Sequence, residues 1–396
     1  MWWGRGWVYL RLMFRKLLII QILLISIFWI SSGQVRVRIF ANQKPSSALL
    51  TVAEGKYELD VYDGKSTSLT AGDPVILAMY DNKIAVKIRN SVSFMCDSLT
   101  VKGLTGNDSF YFRVNGSSIV RQLYSGDLQC ISDLGVLVFI NICDVEQYIA
   151  GVVRTEGGPG KRIEYLKSQA VLARTFMYKH FERHLIDRYN LCDNTHCQAF
   201  NGISTDTLIS RAALETKGLV VLDHDSTLII SAFHSNCGGE TSTSDFVWLS
   251  GNSYVKKVID PYCVKSPNAT WRKTIPLTEW EAYLKKSGFV PVGTTAPSYN
   301  FSQLTRQNNY QIGSFSLPFG QIRNDLNLRS AFFSVVKEGN LITFKGRGYG
   351  HGVGLCQEGA MVMAARGFKY SEIIRFYYSD VIISDINNAR ILKSDF

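Results

Sequence analysis

The chain lacks a long hydrophobic span: a membrane-crossing helix needs about 20 apolar residues, and the run Leu17–Ile30 is shorter. No acidic residue offsets Arg5, Arg11, Arg15 and Lys16 ahead of that run, and the small residues Ser31, Ser32 and Gly33 follow it. This is the order of a secretory signal, with an uncleaved N-terminal anchor as the alternative reading; either puts the rest of the chain outside the cytoplasm. A nucleic-acid-binding motif is also lacking, although the formal net charge is +10; four of these charges lie in the leader, which leaves +6 for the remainder. That mild basic excess suits a polyanionic partner such as a cell-wall polymer, and equally suits ordinary solubility. Between residue 34 and about residue 138 there is no cluster of His, Cys or paired carboxylates at a useful spacing. This region is therefore expected to be scaffold or substrate docking.

What is present divides into two lobes, as 396 residues would at about 100 to 200 per domain. After the leader (1–33), alternating runs such as VRVRIF, YELDVY, PVILAMY and SFYFRV, broken by Asp-Gly, Gly-Asp and Asn-Gly pairs, predict a β-rich region over 34–140. Residues 141–396 alternate helical and strand patterns, so the fold class is α/β (α+β), with central helices packed on β-sheets. The eight cysteines, Cys96, Cys130, Cys143, Cys192, Cys197, Cys237, Cys263 and Cys356, are consistent with disulfides in an exported chain, with pairings that sequence alone does not specify.

The continuously apolar run 134–142 leads into a helix capped by Asp144, with Gln147 at capping-box spacing, and with Val145, Tyr148, Ile149, Val152 and Val153 on one face. Gly157, Gly158, Pro159 and Gly160 end it near Thr155, which leaves one carboxylate, Glu156, at the exit. A second, buried helix is expected from about Arg162 to His184. Lys167 and Arg174 lie seven residues apart, on one stripe of it. Buried cations need partners. These two either snorkel to solvent or bridge structural carboxylates, or they line a cleft beside Glu156 and hold an anionic or hydroxyl-rich substrate.

His184, Cys192, His196 and Cys197 fall within fourteen residues. Two thiolates and two imidazoles make a tetrahedral zinc set, structural if closed. The adjacent His196 and Cys197 do not follow a common finger spacing, His180 could replace His184, and a Cys192–Cys197 disulfide is the competing reading. Residues 218–233 read as a β-hairpin turning near Asp223–Ser226, leading into the polar loop HSNCGGETSTSDFVW. Cys237 and Cys263 flank that loop and are expected to pair. His234 is expected to be structural. Residues 264 to about 340 hold one helix, Leu277–Lys286, capped by Thr278, and no evident chemistry. In FKGRGYGHGVGLCQEGAMVMAARG, Gly346, Gly348, Gly350, Gly352 and Gly354 alternate. An extended chain would then have one bare face, approached by a packed helix or by a sugar, with Arg347, Tyr349, His351 and Val353 on the other. A helix over Gln357–Arg366 and a last one capped by Ser371 follow.

The segments VEQYIAGVVRTEGGP, LKSQAVLARTF, CDNTHCQAFNG, HSNCGGETSTSDFVW with YVKKVIDPYC, and GRGYGHGVGLCQEGAMVMAARG occur in that order over about Asp144 to Tyr378. Together they resemble the family of stage II sporulation protein D and the amidase enhancer LytB, exported proteins that act on peptidoglycan. The resemblance implies a lytic transglycosylase that cleaves the MurNAc–GlcNAc β-1,4 bond and leaves a 1,6-anhydro-MurNAc end, with Glu156 as the catalytic residue. Gly157 stands where the family pattern suggests a larger apolar residue. Lys167, Gln169, Arg174, Ser235, His351 and Gln357 become candidate substrate-binding residues. A Cys/His cluster that binds zinc in some members supports Cys192, His196 and Cys197, with His184, as ligands; no cofactor is implied for catalysis. A single carboxylate agrees with this chemistry, since hydrolysis through two carboxyl groups requires a second one. A general acid needs a raised pKa, so the two cations are expected to touch substrate and not Glu156. The expected partners are glycan strands, a cell-wall amidase and, through the leader, the membrane, with the protein in the periplasm, the cell envelope or on the outer face of the membrane. Two rivals are a non-catalytic peptidoglycan-binding enhancer of an amidase and a zinc hydrolase built on the Cys/His cluster.

Overall fold

The computed structural model describes residues 33–390 apart from 62, 63, 65, 90, 92, 117–120, 159, 160, 248–250 and 292–296. The leader therefore lies outside the described residues, and among those described no helix is long and apolar enough to cross a membrane. The fold is mixed α+β, in two compact units. One comprises the described residues up to Tyr148 together with His184–Ile203; the other comprises Ile149–Arg183 and the described residues from Ser204 onward. The units thus divide the chain differently from a single cut near residue 140. The Cys/His segment goes with the β-rich unit because its short strand Leu191–Cys192 pairs in parallel with Gln34–Ile39.

In the first unit two sheets face each other. One carries seven strands, and at its centre Val136–Asp144 lies between Gln34–Ile39 and Asp127–Asp133, antiparallel to both. The other has six strands, built around Ser47–Glu54 between Ser109–Val114 and Pro74–Tyr80. Alternation in the sequence becomes alternation in burial: in Gln34–Ile39 every second side chain is buried. The apolar run expected over 134–142 falls largely in Val136–Asp144, which is buried nearly throughout. The sheets meet through aromatic rings packed edge to face, Phe112 against Phe139 at 4.8 Å between centroids and Tyr57 against Phe110 at 5.8 Å. Edge-to-face and offset packing of this kind contributes beyond area burial alone.

The second unit is organised around the helix Ile163–Lys179, in which eleven side chains are buried, as its all-round apolar pattern requires. The helix stops at Lys179, short of the expected His184. The helices Thr207–Glu215, Gln357–Ala365 and Tyr370–Tyr377 pack on it. Only part of the expected 218–233 hairpin forms. Its turn is closed by Asp223 N–H to Thr227 O at 2.9 Å, but Leu219–Leu222 pairs with Ile382–Asp385 and meets the returning arm only at Leu228. The stretch 264–340 holds more than the one expected helix: Thr270–Pro276, Leu341–Arg347 and Phe333–Glu338 form an antiparallel sheet, covered by Leu277–Lys286 and Phe319–Asp325 around the fully buried Trp280. Two caps differ from expectation. The residues preceding these helices are Pro276 and Lys369, and Thr278 and Ser371 lie inside the first turns.

Candidate functional site

Asp144 caps its helix as read, accepting from Glu146 N at 2.8 Å and Gln147 N at 3.1 Å. The Gln147 side chain instead bonds the Ser125 hydroxyl, so the reciprocal half of the box is absent. The helix Val145–Val152 then widens into a π-helical turn, Val153–Gly157, before Gly158 leaves it at φ 76°. Such turns expose backbone carbonyls and occur often at functional sites. Glu156 sits in this turn, partly buried. Tyr165 Oη donates to Gly157 O at 3.2 Å and ties the turn to the central helix.

Three candidate residues converge here. Gln357 Nε2 donates to the Glu156 backbone carbonyl at 3.0 Å and to Gln169 Oε1 at 3.1 Å. Gln169 is 2% exposed, and its Nε2 is buried without a hydrogen-bond partner among the described residues. Ser235 joins because Phe233–His234 pairs in parallel with Leu355–Cys356, which sets the HSNC and LCQE motifs side by side; Glu358 N donates to Ser235 O at 3.0 Å. Sequence reading missed a second carboxylate, Glu358. It accepts from Asn236 Nδ2 at 2.6 Å and Asn268 Nδ2 at 2.7 Å. Burial first, then the charges of Cys356, Glu156 and Glu358, push the Tyr165 hydroxyl far above its ordinary pKa, which keeps it a proton donor.

Three other candidates are spent inside the fold. Lys167 pairs with Glu215 at 2.7 Å and Glu164 at 3.5 Å. Burial pulls its pKa down, but the Glu215 hydrogen bond and the two carboxylate charges outweigh this and raise it. Arg174 is fully buried and donates to Leu219 O at 3.0 Å and Ala213 O at 3.1 Å, which fastens the end of Thr207–Glu215 and the start of Leu219–Leu222 to the central helix. Lys167 thus bridges carboxylates, whereas the acceptors found for Arg174 are backbone carbonyls. His351 uses both ring nitrogens inside the fold: Nε2–H donates to Phe233 O at 3.0 Å, across to the neighbouring strand, and Nδ1 accepts from Val353 N at 3.0 Å within its own loop. Burial lowers its pKa to about 4, so the ring is neutral at pH 7.

The bare glycine face is closed off largely by other segments of the same unit. The strand ends at Arg347, and Gly348, Gly350, Gly352 and Gly354 all take positive φ, so the run is not extended. A Cβ on Gly346 would lie inside the Trp271 ring, and one on Gly348 would come within 2.5 Å of Asn236 O. The alternation of glycines therefore serves the close approach of the 232–238 segment, which brings Ser235 beside Gln357.

In the other unit, the ligand atoms of His184, Cys192, His196 and Cys197 lie within 4.8 Å of one another. Cys197 Sγ is 3.5 Å from His184 Nε2, and His196 Nδ1 is 3.6 Å from each sulfur. Both cysteines are thiols. The Cys192 thiol, and then the two imidazoles, hold Cys197 well below the usual thiol range. Asp187 faces His184 Nδ1 at 3.5 Å, the outer carboxylate that a metal-binding histidine commonly has. The donor set and its convergence fit a closed tetrahedral ion. His180 instead takes Arg183 Nη2 at 2.9 Å.

The expected Cys237–Cys263 disulfide is replaced by two thiols with sulfurs 3.3 Å apart, against about 2.05 Å for a bond. They share their buried space with Cys356 and Asp260.

Residues 135–222 match the family model described as stage II sporulation protein. An uncharacterized protein of Brachyspira hyodysenteriae is 25% identical over 88% of this chain and 95% of its own length. The amidase enhancer of Bacillus subtilis is 26% identical over 58% of this chain and 39% of its own. Stage II sporulation protein D of Bacillus subtilis is 30% identical over 61% of this chain and 74% of its own length. At 30% identity, with about three quarters of that relative covered, the chain belongs to the SpoIID/LytB family, that of stage II sporulation protein D and the amidase enhancer.

Proposed function

We propose that the protein is an exported lytic transglycosylase acting on peptidoglycan glycan strands in cell-wall remodelling, with Glu156 as its acid and base. The observation that carries this reading is Glu156 on a π-helical turn whose backbone is held by the Gln357 amide, beside the unpartnered Nε2 of Gln169. A buried polar atom without a partner calls for an explanation; a sugar oxygen as acceptor supplies one. The Glu156 carboxyl gives its proton to the glycosidic oxygen as the MurNAc C1–O bond breaks. The resulting carboxylate then takes the proton of the same sugar's 6-hydroxyl, and O6 closes on C1. No water is consumed, and the product ends in 1,6-anhydro-MurNAc. Glu358 is held by two asparagine amides, which suits an anchoring role better than that of a second reacting carboxylate. In the β-rich unit, Cys192, Cys197, His184 and His196 would hold a zinc ion with no open position, which makes it structural and speaks against a zinc hydrolase.

The test is mass spectrometry of glycan strands stripped of stem peptides and digested by residues 34–396, beside Glu156→Gln. Anhydro ends that vanish in the variant are expected, whereas reducing ends would make the protein a hydrolase. The similarity to an amidase enhancer favours a second reading, a glycan-binding module that stimulates an amidase. Glycan binding without cleavage, together with a faster amidase, would establish that reading instead.

A further inference from the structure

We propose that Cys237, Cys263, Cys356 and Asp260 form a second zinc site, distinct from the Cys/His cluster and internal to the helix-rich unit. The reasoning holds whether or not Glu156 is catalytic. All four residues are fully buried, and their three sulfurs and one carboxylate oxygen lie within 4.8 Å of one another. They come from three separate segments. Cys237 follows the strand Phe233–His234, Asp260 and Cys263 share one turn, and Cys356 ends the strand that pairs with Phe233–His234 and opens the helix Gln357–Ala365.

The spacing of the four ligand atoms is close to that of a four-ligand zinc site. Around zinc, sulfurs about 2.3 Å from the ion sit roughly 3.8 Å apart. Cys237 Sγ lies 3.3 Å from both Cys263 Sγ and Asp260 Oδ2, so an outward relaxation of a few tenths of an ångström admits the ion. A disulfide would need a contraction more than twice as large, and would leave Cys356 and Asp260 as a buried thiol and a buried carboxylate with no common purpose.

The surroundings match those of ligands held in place by their neighbours. Asp260 Oδ1 accepts from Tyr262 N at 2.8 Å and Cys263 N at 3.3 Å, and Tyr377 Oη donates to Oδ2 at 3.0 Å. Cys237 N donates to Cys356 Sγ at 3.3 Å. A buried carboxylate among thiols is costly without a cation. The nearby Arg306 does not provide one directly, since its Nε and Nη2 are engaged by Glu240 O and Cys237 O, both at 2.8 Å. Binding Zn2+ releases up to three thiol protons to solvent and forms three Zn–S bonds and one Zn–O bond, with no redox change. All four positions are protein ligands, so the ion is structural. It ties the 233–237 segment, the 260–263 turn and the N-terminus of the helix carrying Gln357 at one point. The glycine at 359 fits this purpose, because a Cβ there would collide with Tyr377 Oη and Asp260 Oδ2.

The test uses the full chain purified without chelator, with zinc measured by elemental mass spectrometry. Cys192→Ser/Cys197→Ser, which removes the other cluster, is expected to retain about one zinc per chain; adding Cys356→Ser should abolish it. Because the added change could unfold the unit, cobalt is also exchanged into Cys192→Ser/Cys197→Ser, where the second cluster is intact; thiolate-to-cobalt charge-transfer absorption with the strong visible bands of tetrahedral cobalt is expected. Absence of metal from Cys192→Ser/Cys197→Ser would overturn the proposal. So would zinc that survives Cys356→Ser, or a Cys237–Cys263 disulfide peptide recovered from the unreduced protein.

Discussion

Replacing Gln357 by Leu removes a single amide that reaches two acceptors, the Glu156 carbonyl at 3.0 Å and Gln169 Oε1 at 3.1 Å. Each net hydrogen bond contributes about 1 kcal/mol, and a buried acceptor left without a donor costs about 1 to 3 kcal/mol. Gln169 is 2% exposed, so water does not replace the lost donor. Together these give about 2 to 4 kcal/mol of lost stability in the helix-rich unit, with the π-helical turn released at the same time. Gln169→Leu removes the shared contact from the other side, so the double variant should cost about 1 kcal/mol less than the sum of the single variants. Urea unfolding of all four proteins measures the coupling. Release of anhydro-MurNAc ends, followed as kcat and KM separately, measures the effect on Glu156, which is expected to fall on kcat. Strict additivity in stability, with kcat unchanged in Gln357→Leu, would refute the claim that this amide holds the glutamate turn.

Two further expectations follow from the same geometry. Gly346→Ala drives a methyl into the Trp271 ring and should prevent folding of the unit or cost more than about 3 kcal/mol; Gly157→Ala meets Gln169 Cγ and Tyr165 Oη at 3.5 Å, an ordinary contact, and should stay within about 1 kcal/mol of wild type. Equal thermal stability of the two variants would contradict this contrast. The second concerns pH: burial lowers the folded pKa of His351 to about 4, while an unfolded histidine titrates near 6.5, so unfolding takes up a proton between those values. Its share of stability, about 3 kcal/mol at most, is complete above pH 6.5 and is lost as pH falls through 4. His351→Gln should therefore show a shallower fall in melting temperature from pH 7 to 4.5 than wild type, and parallel curves would show that the ring is not held neutral.

Much of the fold was legible in local pattern, because strands and amphipathic helices impose periods of two and 3.6 that the chain carries within a few residues. The alternation in 34–39, the buried run before Asp144, its cap and the all-round apolar helix after Glu156 are of this kind. So is the close Cys/His spacing, which brings four side chains of two ligand types together within fourteen residues. The motif order was also sufficient to identify the family. Sequence could not decide what each polar side chain faces, since partners distant in the chain meet only through packing. Lys167 and Arg174 share a helical stripe, yet one finds carboxylates and the other the carbonyls of Ala213 and Leu219. The glycine run reads as a face for a packed helix or a sugar, but it is approached by Trp271 and by the 232–238 segment. Cys356 lies 119 residues from Cys237, and only the parallel pairing of Phe233–His234 with Leu355–Cys356 brings it to Cys237, Cys263 and Asp260. That pairing, a contact no local period encodes, also sets Ser235 beside Gln357, the residue whose amide holds the Glu156 carbonyl.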